Sequence, residues 1–356
     1  MKKFLSLVLA LVMTMSLVTV SAGAKDFTDG SEITYKEAVD VISALGVVDG
    51  YSGGDFKPTE VLTRGAAAKI ICNLILGPTT ASALAASTAP FKDVPVTNTF
   101  AGYITYCSQQ GIISGYADGT FRPTGTLSGN AFMKMLLGAL GYDSSIEGYT
   151  GPNWTVSVIK QAVGIGLDDG NDEFVGSKAV TRQEAALYAF NMLQATMVEY
   201  DQQNTIVVGD ITINTTSSRS DVENNGKSDK YINSDGKMQF AEKYCEDLVA
   251  KEGTDDAFGH PATEWKYDGS KIGTYADDAD NSVVMDKTKS LKDSLTSSDY
   301  MNYDNDDVLD SAKVYFNGYE LGEYKNLKSD DTYTGAGDIV EAYENDDDEV
   351  DTIVIS

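Results

Sequence analysis

Histidine, basic residues and long apolar runs are scarce in this 356-residue chain. It has one histidine, His260, and 27 Lys and Arg against 54 Asp and Glu. A single histidine excludes any site built from two, and it limits Ser-His or Cys-His catalytic pairs to those that use His260 itself. The formal net charge of −27 does not suit a surface that follows nucleic-acid phosphates or an anionic membrane. We therefore expect no nucleic-acid partner.

Cysteine is also rare, and Cys72, Cys107 and Cys245 lie far apart. An odd, dispersed set does not indicate a disulfide scaffold. Cys72 and Cys107 fall within apolar helical patterns, where a free cysteine usually packs as a small apolar side chain. A bridge between these two is open to the chain, but no spacing rule supports it.

The longest apolar run stands at the amino terminus. Lys2 and Lys3 precede the apolar residues 4–20, and Ala22-Gly23-Ala24 follows. This order predicts a secretory signal peptide over residues 1–24, cleaved after Ala24, with a retained membrane anchor as the alternative. After cleavage we expect no association with the membrane.

One sequence pattern occurs three times between residues 26 and 200. Two copies read G-V-V-D-G-Y from Gly46 and G-I-I-S-G-Y from Gly111, and the third reads G-L-D-D-G from Gly166. In each copy a Phe precedes a Thr or Ser by seven residues, and an apolar stripe of helical period follows. The glycine ends one helix and the hydroxyl residue caps the next. The repeat is therefore predicted to be helix, glycine-rich loop, helix.

The stripes of the second helices are expected to form the core. Their members are Ala67, Ile70, Ile71, Leu74, Phe132, Met135, Leu136, Ala139, Ala185, Tyr188, Ala189 and Met192.

These repeats resemble S-layer homology domains, whose pattern runs F-x-D, a helix, G-I-I-x-G-Y-x-D-G-T-F-x-P, then L-T-R-A-E at a second helix. Phe91-Lys92-Asp93 and the stretch from Gly111 to Pro123 carry this pattern most fully. The resemblance predicts repeats at 26–85, 90–145 and 149–200, packed as a mainly α-helical pseudo-trimer. It implies a secreted protein of the Gram-positive cell wall, held by a pyruvylated secondary cell wall polysaccharide.

The resemblance also implies that the T-R-A-E arginine meets the carboxylate of the polymer, and Arg64 and Arg182 occupy that position. A cation in the first helical turn opposes the helix dipole, so local stability does not explain these arginines. Free N–H groups beside a guanidinium can hold a ligand carboxylate. An internal ion pair with Asp118 or Asp168 is the alternative.

Thr63, Thr181, Trp154, Tyr51 and Tyr116 complete the expected polymer-binding set. The aromatic side chains can stack on a sugar face or pack in the core. In the second repeat, Gly129 stands where the others have arginine. We expect that groove to bind weakly, and Gly129→Arg to leave binding unchanged or improve it.

The region 201–356 carries 14 basic and 36 acidic residues. Short apolar runs separated by turns such as Asn317-Gly318 and Asp235-Gly236 predict β-rich modules with polar loops, and one helix is predicted over Gln239–Ala250. Clusters at Asp304–Asp307 and Asp346–Glu349 are either solvated loops or calcium ligands, although the EF-hand spacing is missing. His260 is expected to be a turn residue rather than a catalyst.

The sequence thus predicts a multidomain α plus β protein, with the helical repeats followed by an acidic β-rich region over 201–356. We expect a non-catalytic S-layer-type surface protein, without catalytic or metal-binding residues, whose partners are wall polysaccharide and other S-layer subunits. The alternatives are a wall-anchored enzyme, such as a glycoside hydrolase with paired carboxylates, or an adhesin. The chain stops just after a β-like run, which also allows a truncated product.

Overall fold

The backbone of most of the chain after Ala24 is described by a computed structural model. It covers residues 25–201, 205–208, 211–214, 217–224, 235–303, 308–327, 329, 332–345 and 347–356, and the side chains of 205–208 and 211–214 are not described. The predicted signal peptide and the cluster Asp304–Asp307 lie outside these residues. Among the helices described, none is long and apolar enough to cross a membrane.

Three pairs of helices occupy the first half of the chain. They are α1 (Lys36–Ala44) and α2 (Arg64–Ser82), α3 (Ala101–Gln109) and α4 (Gly129–Leu140), and α5 (Trp154–Gly164) and α6 (Arg182–Gln194). α2 is interrupted at Gly77, which has φ 71° and precedes Pro78. The predicted apolar stripes of α2, α4 and α6 are buried.

Local sequence signals set the ends of these helices. The hydroxyls of Thr63, Ser128 and Thr181 accept hydrogen bonds from backbone N–H groups three residues later, which confirms the predicted caps. Glu184 also accepts from the backbone N–H of Thr181, so this helix start has a capping box. The first helices end just before Gly46, Gly111 and Gly166, whose φ values of 69–71° an L side chain would resist.

A closed ring of backbone hydrogen bonds joins the three helix pairs. The N–H of Leu62 donates to the carbonyl of Val180 (2.8 Å), that of Val180 to Leu127 (2.9 Å), and that of Leu127 to Leu62 (3.1 Å). All three side chains are buried, and each residue stands directly before a helix cap. The starts of α2, α4 and α6 therefore converge around one axis.

Aspartates of the F-x-D motif organise the loops of the first two pairs. The carboxylate of Asp93 accepts from the N–H groups of Phe121 and Arg122, at 2.7 Å each. Asp29 does the same for Phe56 and Lys57 at 2.8 and 2.7 Å. Burial alone would raise the pKa of each carboxyl, but these backbone hydrogen bonds leave it below its ordinary value.

The ring of Phe91 explains the last glycine of G-I-I-S-G. Phe91 stacks on Phe121 with 5.3 Å between ring centroids. A Cβ on Gly115 would lie 2.4 Å from the Cε1 of Phe91, and one on Gly50 would lie 2.8 Å from the ring of Phe27. Only glycine leaves room for these rings.

A small β-structure follows α6 within the same compact unit, which runs to Ala250 and also includes Lys266–Ile272. Its strands are β1 (Val198–Tyr200), β2 (Thr205–Val208), β3 (Ile211–Asn214) and β4 (Arg219–Asp221), and β1 pairs with β4 and β2 with β3, both antiparallel. Arg219 donates to Glu147 and Gln161 at 3.1 and 3.0 Å, so it links this structure to residues of the helical repeats. The change in charge near residue 200 and the end of this unit thus fall at different positions.

The helix predicted over Gln239–Ala250 is wrong in length. The observed helix α7 spans only Phe240–Tyr244, and β5 begins at Leu248. Phe240 and Ala241 are buried, and the backbone of Cys245 leaves the helical region with φ −131°. Strand pairing after Leu248 therefore outweighs the helical preference of these residues.

Residues Lys251–Trp265 and Gly273–Ser356 form a second compact unit. The remaining elements are β5 (Leu248–Asp255), β6 (Pro261–Tyr267), β7 (Ser270–Ala276), β8 (Asn281–Val284), β9 (Lys289–Ser290), α8 (Leu291–Thr296), β10 (Lys313–Phe316), β11 (Tyr319–Glu323), β12 (Tyr333–Thr334), β13 (Ile339–Glu344) and β14 (Val350–Ile355). Strands β5, β6 and β7 form a sheet in that order, and β9 pairs with β12.

The main sheet of the second unit has the strand order β11-β10-β14-β13-β8. β10 and β14 run parallel, and the other neighbours are antiparallel. Asn317 and Gly318, with φ 47° and 82°, form the predicted hairpin turn between β10 and β11. Leu291 and Leu295 of α8 pack in the same buried cluster as Val314 and Ile353 of the sheet.

His260 lies directly after a turn in this unit. The N–H of Gly259 donates to the carbonyl of Asp256, and the two ring nitrogens of His260 lie 2.8 Å from Asp256 and 3.2 Å from Glu341. Burial would lower the pKa of His260, but the hydrogen bonds to these carboxylates raise it to about 9. His260 is therefore a charged link between the turn and β13.

Candidate functional site

The start of α2 carries the first predicted arginine. Its first-turn N–H groups are already bonded, because Arg64 donates to the carbonyl of Gly125 (2.9 Å) and Gly65 donates to that of Pro123 (2.8 Å). The N–H of Ala66 is taken by the hydroxyl of Thr63. The expectation of free N–H groups for a ligand is wrong here, since the loop of the second repeat caps this helix.

The Arg64 guanidinium is bonded to the same loop. Its Nε donates to the carbonyl of Phe121 at 2.8 Å, and its Nη2 donates to that of Ser114 at 3.3 Å. It lies over the rings of Phe121 and Tyr116, with centroids 4.4 and 5.0 Å from Cζ. Burial lowers the pKa of Arg64, although a guanidinium stays charged in proteins.

Arg182 repeats this arrangement at the start of α6. Its Nε donates to the carbonyl of Phe56 and its Nη2 to that of Asp49, both at 2.8 Å. The guanidinium lies 4.8 Å from the ring centroids of Tyr51 and Phe56. The backbone N–H of Arg182 donates to the backbone carbonyl of Glu60, so this helix start is capped as well.

The alternative for these arginines was an internal ion pair with Asp118 or Asp168. Within the described residues, neither arginine forms such a pair. Asp118 instead pairs with the exposed Arg122 at 3.0 Å. The two arginines reach backbone carbonyls of the neighbouring repeat, and they therefore join one repeat to the next.

The rings of Tyr116 and Tyr51 are each in contact with two cations. Arg122 contacts the ring of Tyr116 at 4.1 Å, in addition to Arg64, and Lys57 contacts that of Tyr51 at 4.2 Å, in addition to Arg182. The two tyrosines are 43% and 39% exposed, so both side chains are part of the surface. The predicted site residues Arg64 and Tyr116 thus form one cluster, and Arg182 and Tyr51 form its counterpart.

A groove of about 360 Å³ opens beside Arg64. Its lining includes two cations, Arg64 and Lys134, and two aromatic side chains, Tyr116 and Trp154. Apolar residues such as Ile112, Leu127 and Met135 also line it. Trp154 is half-buried at the first residue of α5. The structure therefore brings together three of the seven predicted residues in one groove, although they come from three different repeats.

Lys134 is a groove residue that the sequence reasoning missed. Its Nζ donates to the carbonyl of Tyr149 at 2.7 Å and lies 5.5 Å from the Trp154 ring centroid. Burial lowers its pKa. A signal was available, because Lys134 is the single charged residue in the otherwise apolar helix α4.

Gly129 marks the third helix start, which has no arginine. Its N–H donates to the carbonyl of Lys178 and that of Asn130 to Gly176. A Cβ on Gly129 would lie 3.0 Å from Phe174 and 3.2 Å from the Cα of Gly176. These contacts are tight, so a side chain here requires Phe174 or Gly176 to shift. The expectation that Gly129→Arg leaves binding unchanged or improves it stays a prediction.

The loops of the first two repeats match a known family. Residues 26–68 and 90–129 match the model of the S-layer homology domain. The matched segments contain the F-x-D motif, the loop and the start of the second helix. Residues 149–200 lack F-x-D and have a shorter loop.

Curated proteins with different names are similar to parts of this chain. A surface layer protein of Brevibacillus choshinensis is 28% identical over 48% of this chain, and a cellulosome-anchoring protein of Acetivibrio thermocellus is 43% identical over 21%. An endoglucanase of a Bacillus species is 32% identical over 28%. The chain spans 15%, 16% and 11% of these relatives, respectively. The similarity is therefore limited to part of each relative.

The carboxylates of the acidic region do not form a metal site among the described residues. No group of three or more His, Cys, Asp or Glu side chains that could hold a metal occurs among the described residues. The turn at Asp347–Glu349 is held by Asn345, whose side chain accepts from the N–H groups of both residues at 3.0 Å.

Proposed function

We propose that the helical unit attaches an exported protein to an acidic polysaccharide of the cell wall, and that it does so without catalysis. The groove beside Arg64 carries this proposal. It is lined by two cations, two aromatic side chains and several apolar residues, and such a surface suits a carboxylate on a sugar ring.

The state of the Arg64 guanidinium supports a ligand role. Nε and Nη2 are held by carbonyls, while Nη1 has no hydrogen-bond partner within the described residues. These two hydrogen bonds fix the orientation of the Arg64 guanidinium before a ligand arrives, so little side-chain entropy remains to be lost on binding. Thr63 acts indirectly, because its hydroxyl caps the helix that carries Arg64.

The polymer carboxylate is assigned to ketal-linked pyruvate, because the family resemblance implies this group. Lys134 lines the same groove as Arg64 and would share the negative charge with it. Trp154 and Tyr116 would stack on the sugar rings.

Residues 149–200 are assigned as a third S-layer homology domain. Their loop and helix α6 complete the ring formed by Leu62, Leu127 and Val180. Arg182, Thr181 and Tyr51 would form a second binding position, equivalent to that of Arg64. The third position, at Gly129, is expected to bind far more weakly.

The acidic region is proposed to face away from an anionic wall and to have no hydrolytic activity. His260 is held by two carboxylates, which leaves no nitrogen to serve a nucleophile. Association with further S-layer subunits stays a prediction. Reproducible release of reducing ends from wall glycans, abolished by one Asp or Glu substitution, would favour the wall-anchored enzyme instead.

Co-sedimentation with purified wall sacculi tests the proposal. The chain should sediment with untreated sacculi and stay in solution after the secondary polymer has been removed. The Arg64→Ala, Arg182→Ala double variant, checked for folding, serves as the control. Equal sedimentation with stripped sacculi would contradict polymer anchoring.

A further inference from the structure

Cys72 and Cys107 meet in the core between α2 and α3. The two Sγ atoms lie 3.5 Å apart, and both side chains are fully buried. The contacts are reciprocal, because Cys72 Sγ lies 3.6 Å from the carbonyl of Tyr103 and Cys107 Sγ lies 3.6 Å from that of Ala68. Each carbonyl belongs to the residue four positions before the other cysteine, so the side chains cross between the helices.

We propose that Cys72 and Cys107 form a disulfide in the exported protein and so link the first repeat to the second. A disulfide has an S–S distance of about 2.05 Å, so the sulfur atoms need to approach by roughly 1.5 Å. Rotation of the two side chains about their Cα–Cβ bonds would supply this movement. The third cysteine, Cys245, is outside the pair and stays a thiol.

The oxidant must be a disulfide, either a small one such as oxidised glutathione or that of a thiol oxidoreductase. The Cys72 thiolate attacks one oxidant sulfur and releases the other as a thiolate. The Cys107 thiolate then attacks Cys72 Sγ in the mixed disulfide and releases the second oxidant thiolate. Each cysteine loses one proton, the pair loses two electrons, and the oxidant disulfide is reduced to two thiols.

This exchange belongs to folding rather than to the finished protein. Neither sulfur is accessible once α2 packs on α3. The hydrogen bond with Cys72 and burial both raise the pKa of Cys107, which disfavours the attacking thiolate in the folded state. Oxidation should therefore accompany refolding and be slow in the folded, reduced chain.

Thiol counting on the full chain tests the proposal. The protein is refolded with oxidised and reduced glutathione, unfolded in denaturant, and alkylated with and without prior reduction. We expect one alkylated cysteine, Cys245, without reduction and three after it, and a linked peptide containing Cys72 and Cys107. Three alkylated cysteines without reduction, or a linked peptide that contains Cys245, would overturn the proposal.

Thermal melting gives a second readout. The bond closes a loop of about 35 residues, so reduction should lower the melting temperature of the helical unit by roughly 5–10 °C. The Cys72→Ala, Cys107→Ala double variant should not respond to reductant, whereas Cys245→Ala should respond as the unmodified chain does. An equal response in the double variant would assign the effect to another group and refute the pairing.

Discussion

Arg64 is predicted to serve both the joint between repeats and the ligand, and substitutions can separate the two roles. Arg64→Ala removes the hydrogen bonds to Phe121 and Ser114 and the stacking on Tyr116. A hydrogen bond from a charged group contributes about 1.5–3 kcal/mol, and a partly exposed cation–π contact about 0.5–1 kcal/mol. Because such terms are not additive, we expect a loss of about 2–4 kcal/mol and a melting temperature lower by about 5–15 °C.

The effect on binding should be of similar size. Loss of a guanidinium–carboxylate contact corresponds to roughly a 10- to 100-fold weaker affinity. Arg64→Lys keeps the charge but cannot reproduce the two-point contact with the loop. It should therefore lose stability while retaining more affinity than Arg64→Ala.

The assay is calorimetry with a short pyruvylated polymer fragment, at a temperature where circular dichroism shows every variant to be folded. Arg122→Ala is the matched control, because Arg122 contacts the same Tyr116 ring but bonds to the exposed side chains of Asp118 and Thr120 within its own loop. Exposed ion pairs contribute little, so its melting temperature should hardly change.

The reasoning fails in two distinguishable ways. If Arg64→Ala melts earlier but binds the fragment with unchanged affinity, the arginine only joins the repeats and the ligand assignment is wrong. If the melting temperature is also unchanged, the hydrogen bonds from Arg64 to the carbonyls of Phe121 and Ser114 do not stabilise the joint between repeats. The double variant with Arg182→Ala should nearly abolish binding, since it removes both equivalent positions.

Three further outcomes follow from single positions. Gly115→Ala should destabilise the helical unit by about 1–3 kcal/mol in urea unfolding, because its Cβ overlaps Phe91, whereas Gly30→Ala has open space and should not; equal midpoints would contradict this. His260→Gln should lose stability relative to the unmodified chain by about 3 kcal/mol below pH 6.5, and the difference should shrink as pH rises from 6.5 to 9, because the raised folded-state pKa makes the imidazolium stabilising only at lower pH; a difference independent of pH would refute the charged link. Gly129→Arg should lower the melting temperature, and an unchanged value would show that Phe174 and Gly176 can move aside.

Local chemistry made several features readable from the sequence alone. The caps at Thr63, Ser128 and Thr181 depend on bonds to residues three positions away, so the spacing itself predicts them. The helix ends at Gly46 and Gly111 need only a backbone that tolerates positive φ. The helical period likewise predicted which side chains are buried, because every i, i+3, i+4 stripe needs a partner surface.

The partners of the site residues were decided by tertiary structure. The Arg64 guanidinium reaches carbonyls 50 and 57 residues away, and that of Arg182 reaches one 133 residues away. No periodicity shows that the loop of one repeat caps the helix of another, so the sequence wrongly suggested free N–H groups. The contact of Cys72 with Cys107 and the presence of Lys134 and Arg64 in one groove have the same origin, because both depend on how separate helices pack rather than on residues near in the chain.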